Sequence, residues 1–253
     1  MRPETDSAEV LVQRSGESAA FGRRAADVQP CLLVAEHQPG GRGRLGRGWQ
    51  SMPGASLTFS LSMPVERADW SGLSLAVGLA LAEALDPVQE AAAPRVGLKW
   101  PNDLWLLDAP HAGRKLGGVL IETVAAGAKR LAVIGVGLNV QPMQAPEVGT
   151  GFACLQEIDA QVEAPAVLHR LALPLVQAIR RFEAEGFAGF VAAYSRRDLL
   201  LGQPVRTTQQ GVAEGVAEGV DERGALQVRT PAGLVAVTSG EVSVRLGADG
   251  GAG

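Results

Sequence analysis

Apolar and polar positions alternate most clearly over residues 56–63, SLTFSLSM. Leu57, Phe59, Leu61 and Met63 fall on one side, Ser and Thr on the other. A period of two predicts a strand with one apolar face. The run CLLVAE at 31–36 predicts a buried strand, and further strand-like pieces lie at 96–100, 104–107, 118–123 and 131–136. Pro, Gly, Asn and Asp fill the gaps between them. The period changes to helical at 164–187, where Leu168, Leu171, Leu175, Ile179 and Phe182 recur at three and four residues. Pro174 is expected to kink or divide that helix. An Ala/Leu-rich helix is expected from a Ser71 cap to about Leu85, stopped by Asp86-Pro87, and a short helix over 187–196. Residues 40–48 hold five glycines and predict a loop, as does the Gly/Pro-rich stretch 141–153.

Adjacent strands with few helices favour a mixed or antiparallel sheet over a βαβ ladder. Residues 203–246 have a different texture of short strands and tight turns, at 221–224 and 231–233, and predict a small β module. The repeat in GVAEGVAEG is too short for a solenoid. The expected division is a catalytic domain over 1–199, a small β domain over 200–247 and a tail over 248–253.

The chain has 253 residues, 46% hydrophobic and 20% charged, with a net charge of −4. That composition suits a globular fold and argues against a general polyanion binder. Cys31 and Cys154 stand apart, and His37, His111 and His169 do not cluster. No metal constellation is expected, and the thiols are read as reduced and buried. The N-terminus has no apolar signal core and no stretch is long enough to span a membrane, so the expected location is the cytoplasm. Of 23 basic residues only Lys99, Lys115 and Lys129 are lysine. Where a generic cation served, the chain uses Arg, which makes each Lys a candidate for specific chemistry.

Four motifs carry that chemistry. GGRGRLGRGW at 40–49 sets Arg42, Arg44 and Arg47 among glycines, before Trp49. Glycine lets the backbone approach an anion and Arg offers paired donors; a mobile surface loop or an RG-type nucleic-acid contact are the alternatives. KWPND at 99–103 aims Asn102 and Asp103 from a Pro turn beside Lys99, or is simply a turn between strands. RKLGGVLIE at 114–122 puts Lys115 at a strand start, with Gly117 and Gly118 leaving room for a ligand. A surface Lys is the plainer reading. GVGLN at 135–139 lacks the third glycine of a dinucleotide fingerprint, so Asn139 either positions a ligand or marks a turn.

In their order and spacing these motifs resemble biotin–protein ligases, the biotin–acetyl-CoA-carboxylase ligases, over about residues 30–246. The resemblance implies an α+β fold: a catalytic domain like class II aminoacyl-tRNA synthetases with a mixed sheet, followed by an SH3-like barrel. It implies formation of biotinyl-5′-AMP from biotin and ATP with Mg²⁺, then transfer of biotin to a lysine of a biotin carboxyl carrier protein. On that basis Gln38, Arg42, Gly43 and Arg44 contact biotin or cover the adenylate, and Trp49 packs near the adenine. Lys115 binds the biotin carboxylate and α-phosphate, flanked by Gly117 and Gly118. Lys99 meets a phosphate, Asp103 helps the acceptor lysine or the metal, and Asn102 and Asn139 shape the site. No residue is assigned as a standing metal ligand.

The sequence departs from the family in two places. The family's Ser-Thr-Asn, 23 residues before Gln38, reads Ser15-Gly16-Glu17 here. Ser15 is kept, while the loss of Thr and Asn bears on recognition of the ureido ring. Bifunctional members carry a helix-turn-helix repressor domain in front, whereas 14 residues precede Ser15. DNA binding by that route is not expected. A homodimer remains one candidate oligomeric state. The competing readings are a lipoate or octanoate ligase of the same superfamily and a nucleic-acid binder using the Arg/Gly loop. The acidic net charge argues against the last.

Overall fold

The computed structural model describes residues 29–88, 92–126, 129–143, 151–208, 214–238 and 244–246. Strands β1 (Cys31–Ala35), β2 (Ser56–Pro64), β3 (Val96–Lys99), β4 (Asp103–Ala109), β5 (Ala112–Ala126) and β6 (Lys129–Asn139) form one sheet in the order β1-β2-β6-β5-β4-β3. These neighbours all pair antiparallel. Among the described residues, parallel pairing is limited to two isolated bridges, Leu98 with Asp198 and Lys115 with Phe152.

The alternation in β2 decides which face is which. Leu57, Phe59, Leu61 and Met63 enter the main core. Thr58, Ser60 and Ser62 therefore face the other way. Pairing carries this second face across the sheet, because Thr58 opposes Gly137, Gly137 opposes Gly118, and Gly118 opposes Asp103. Its centre is thus floored by glycine.

Helix α1 (Leu73–Leu85) and helix α2 (Ala164–Glu185) pack with the apolar face. Nearly every residue of α1 is buried, which its Ala/Leu composition permits. Ser71 does not cap α1. Gly72 occupies the cap position at φ 83° with no side-chain cap, and the Ser71 amide donates to Asp69 instead. A side chain at Gly72 would strike Phe187 at 2.6 Å, so close packing sets where the helix begins. Pro174 does not divide α2. The carbonyl that loses its donor belongs to Arg170 on the exposed side, while Leu171, Leu175, Ile179 and Phe182 hold the helix to the core. A 3₁₀ turn at Ala188–Phe190 leads into the short helix α3 (Val191–Ser195).

Strands β7 (Pro204–Thr207), β8 (Glu214–Val220), β9 (Leu226–Thr230), β10 (Gly233–Val237) and β11 (Val244–Leu246) form a second antiparallel sheet, ordered β10-β9-β8-β7-β11. Among the described residues nothing pairs β10 with β11, so the expected barrel is an open sheet there. Val205, Ala217, Leu226, Val228 and Val237 join the same core as the first sheet. The seam between the sheets is specific. The Trp100 indole donates to Gly224 O at 2.9 Å, and Gly224 lies against Gly72 and Leu75. Asp221 Oδ1 accepts from the Arg223 and Ala225 amides, which forms the expected turn. No described helix is long and apolar enough to cross a membrane.

Candidate active site

Lys115 does not start its strand but is the fourth residue of β5. Its direction is set by a bulge. Leu104 pairs with Gly117 and Trp105 with Lys115, leaving Leu116 as the extra residue. Leu116 is fully buried, and the bulge turns Lys115 onto the glycine-floored face beside Asp103 and Trp105. There Lys115 Nζ donates to Asp103 Oδ1 at 2.8 Å, with both side chains partly exposed. A side chain at Gly118 would come within 3.2 Å of that carboxylate oxygen, so the motif's glycine leaves space for the pair.

Three groups fix the backbone around it. Asn139, buried at the end of β6, donates from Nδ2 to Lys115 O and Ala153 O at 3.3 and 3.0 Å. GVGLN is therefore strand rather than turn, ending in a clamp on the bulge. Asn102 Nδ2 donates to Val119 O at 2.9 Å, and the Val119 amide donates back to Asn102 O, which ties the KWPND turn to β5. Arg114 donates to Asp108, to Glu157 and to Phe152 O, holding segment 152–157 beside Lys115. Hydrogen bonds to Asp108 and then Glu157 raise the Arg114 pKa above the usual range, and the bond from Arg114 lowers that of Glu157.

The Gly/Arg loop lies over this face as a tight hairpin. The Trp49 amide donates to Gly41 O and that of Gly43 to Arg47 O, around a 3₁₀ turn at Arg44–Gly46 in which Leu45 has φ 59°. At its base the buried Gln38 donates its backbone N–H to Ser51 Oγ at 2.8 Å, and His37 Nδ1 contacts Ser51 O. Arg42 meets Glu122 of β5 at 3.5 Å. Burial pulls the Arg44 guanidinium below its usual pKa, while the Asp103 charge opposes that shift. The Nε1-bearing edge of Trp49 rests on Gly137, where any side chain would collide with the ring at 2.4 Å. Lys99 reaches the same face, with Nζ 4.4 Å from the centre of the Trp105 ring.

The structure thus gathers Gln38, Arg42, Gly43, Arg44, Trp49, Lys99, Asn102, Asp103, Lys115, Gly118 and Asn139 around one face. Gly117 faces the core side, where a side chain would meet Gly137 O and Leu138. Ser15 lies outside the described residues. Lys129 is a surface residue, 3.8 Å from Glu66. A cleft of about 330 Å³ adjoins the site at Arg44 and Asn102 and runs toward Trp70 and Thr123, with the Lys115–Asp103 pair outside its lining. The charged pair, not that cleft, is where carboxylate chemistry can occur. Sequence reasoning missed Arg114, Glu122, Ser51 and Glu157; Arg114 and Glu122 stood at the two ends of the 114–122 motif, and nothing local marked their partners. Among the described residues no group of three or more His, Cys, Asp or Glu could hold a metal ion. Cys154 is buried and Cys31 only half-buried, and neither is in a disulfide.

An ammonium–carboxylate pair thus lies under a Gly/Arg hairpin on one face of the sheet. Residues 24–139 match the biotin/lipoate A/B protein ligase family, and residues 200–245 match the biotin protein ligase C terminal domain. The chain is 34% identical to the biotin–[acetyl-CoA-carboxylase] ligase of Mycobacterium tuberculosis, over 92% of this chain and 87% of that one. It is 35% identical to the bifunctional ligase/repressor BirA of Salmonella typhimurium over 84% of this chain, and the match spans 66% of that relative's length, just under two thirds. The biotin protein ligase from Aquifex aeolicus, solved in complex with biotin and ATP, superposes with a TM-score of 0.73 at 30% identity, covering 85% of this chain and 89% of that one. The chain belongs to the biotin/lipoate A/B protein ligase family.

Proposed function

We propose that this chain is a biotin–[acetyl-CoA-carboxylase] ligase, which makes biotinyl-5′-AMP and passes biotin to one lysine of a biotin carboxyl carrier domain. The carrying observation is the Lys115–Asp103 pair, turned by the bulge onto a glycine-floored face beneath the Gly/Arg hairpin. The names of the relatives and the biotin and ATP bound to the Aquifex aeolicus neighbour support the same reading.

In the first step a biotin carboxylate oxygen attacks the α-phosphorus of ATP and pyrophosphate leaves. Two anions must approach, so fixed cations have to offset their repulsion. Lys115 exchanges Asp103 for the ligand's carboxylate and α-phosphate, while Arg42, Arg44 and Lys99 meet the remaining charge. Gly43 lets the hairpin backbone close on the adenylate, Gln38 anchors its base beside biotin, and Trp49 borders the adenine. Magnesium enters with ATP as the substrate's counterion, and such an ion needs only one or two protein carboxylates. In the second step the carrier lysine's amine attacks the acyl carbon and AMP leaves. Asp103, released from Lys115, accepts the amine's proton. The hairpin keeps water from the mixed anhydride. Asn102, Asn139, Gly117 and Gly118 keep the backbone in place, and Ser15 is assigned to biotin.

The same reading assigns residues 1–199 to catalysis, 200–247 to the SH3-like unit and 248–253 to a tail, with a cytoplasmic location. The test is to incubate the purified chain with ATP, magnesium, biotin and a carrier domain. Biotin is expected on a single carrier lysine by intact-mass measurement. Modification by lipoate and not biotin would overturn the assignment.

A further inference from the structure

Arg114 directly precedes Lys115 on β5 and has no part in the two chemical steps, yet all its donors are engaged. Nε and Nη2 donate to the two carboxylate oxygens of Asp108 at 2.9 and 2.7 Å. Nη2 and Nη1 donate to the two oxygens of Glu157 at 2.7 and 3.2 Å, and Nη1 donates to Phe152 O at 2.9 Å. Those are five bonds for the five N–H groups of one guanidinium. The Arg114 side chain is 34% exposed. An ion pair in such a place adds about 1 kcal/mol of stability or less. What a filled planar fork does well is hold its partners in one geometry.

Its partners are the segment that closes the Lys115 bulge. A bulge disrupts the ladder locally and leaves one residue outside the pairing. Here Leu116 is that residue, and Lys115 gains another neighbour beside it. Phe152 bridges Lys115 in parallel, and the Ala153 amide donates to Lys115 O at 3.0 Å. Arg114 fastens this segment at both ends. Gly151, at φ 70°, lies so close to the Arg114 stem that a side chain there would begin 2.7 Å from Cγ. At the other end Glu157 Oε1 also accepts the Cys154 amide at 3.0 Å, which caps the 3₁₀ turn at Leu155–Glu157. Asp108 anchors the fork to β4. One side chain thus joins β4, β5 and residues 151–157 next to the ligand-binding ammonium.

We infer that Arg114, acting with Asp108 and Glu157, is a positioning residue for adenylation: it clamps residues 151–157 against the bulge and so sets where the Lys115 ammonium stands. The inference rests on the ligase reading and deepens it, because it names what aims Lys115. Lysine cannot take the role. An ammonium has three donors and no fixed plane, so it cannot span two carboxylates and a carbonyl. A displacement of about 1 Å in a group that must meet two approaching anions can cost about 10²-fold in rate. Binding is spread over many contacts and suffers less, so the loss falls on kcat.

The test combines biotin-dependent pyrophosphate exchange, biotin calorimetry and amide hydrogen exchange on the full chain, for wild type, Arg114→Lys, Arg114→Met, Glu157→Gln and the double variant Arg114→Met/Glu157→Gln. Arg114→Lys keeps the charge and removes the fork. It and Arg114→Met should each lower kcat about tenfold, with the Kd for biotin within about threefold of wild type. The Ala153 and Cys154 amides should exchange at least about tenfold faster in both, while those of Ile134 and Val136 in β6 stay as they are. Glu157→Gln keeps an oxygen for the Cys154 amide and should cost about threefold or less in kcat. The double variant should be no slower than Arg114→Met, because the same clamp is lost once. A kcat for Arg114→Lys within twofold of wild type, a loss of kcat without faster exchange at Ala153 and Cys154, or a double variant slowed by the product of the two single effects would each overturn the clamp. A wild-type chain with no biotin-dependent exchange would instead overturn the ligase reading on which it rests.

Discussion

Two ion pairs of similar length sit in different surroundings. Lys115–Asp103, at 2.8 Å, lies on the ligand face with side chains 30% and 24% exposed. Arg197–Asp86, at 3.0 Å, is more enclosed, where the segment leading to the second sheet meets β3: Arg197 is buried and Asp86 partly so, with side chains 5% and 14% exposed. Arg197 also donates to the backbone carbonyls of Val96 and Asp86, and Asp86 Oδ2 further accepts the Arg95 and Val96 amides. The seam pair is tied into its surroundings and has no reason to open. The site pair is held by one hydrogen bond between partners that a carboxylate or an amine can replace. One serves architecture and the other exchange, and substitutions should separate them.

The largest effect is expected at the seam. Arg197→Met leaves the partly buried Asp86 charge without its guanidinium and should lower stability by about 3 kcal/mol or more, measured by urea unfolding. Whatever protein remains folded should keep its adenylation rate per active site. Lys115→Met should do the reverse, slowing adenylate formation by about 10²–10³-fold while the melting temperature moves little, since a partly exposed pair adds about 1 kcal/mol or less. A large loss of stability in Lys115→Met would erase the distinction.

Asp198 sharpens the contrast from the seam side. Its Oδ2 is buried without a partner, and burial pushes its pKa up to about 6, against the opposing effects of the Leu200 amide and His111. A raised carboxyl pKa means the fold binds the proton more tightly than the unfolded chain does. The resulting cost is absent below about pH 4, grows as pH rises to 6 and is complete above it. Asp198→Asn should therefore be more stable than wild type at pH 7.5, by up to about 3 kcal/mol, with the advantage vanishing near pH 4 in parallel unfolding curves. An advantage that is flat with pH would mean the charge is not its source.

The smallest effect is expected at Asn139, which acts on Lys115 through the backbone. Asn139→Ala should lower kcat for adenylation about tenfold and leave the KM for biotin within about threefold, a split visible in steady-state kinetics. Loss of binding alone would make Asn139 a ligand contact rather than a clamp.

What could be read from the sequence was local. The alternation of β2 named both faces of the sheet, and the four motifs named most of the side chains that the fold brings together. The scarcity of lysine singled out Lys99 and Lys115, which flank Trp105 in space. What could not be read depends on distant partners. Nothing in RKLGG shows that Leu116 bulges, because the bulge exists only against β4. Gly72, not Ser71, starts α1 because Phe187 crowds it from more than a hundred residues away. Arg114 looked like one cation among many until Glu157 and Phe152 O folded onto it. Pro174 sits inside a helix because tertiary packing outweighs the hydrogen bond it removes.

The most direct measurement is exchange of labelled pyrophosphate into ATP by the purified chain. A biotin-dependent exchange, absent without biotin and lost in Lys115→Met, is the result expected from a ligase that adenylates biotin at Lys115. Exchange that ignores biotin, or that persists at the wild-type rate in Lys115→Met, would contradict it.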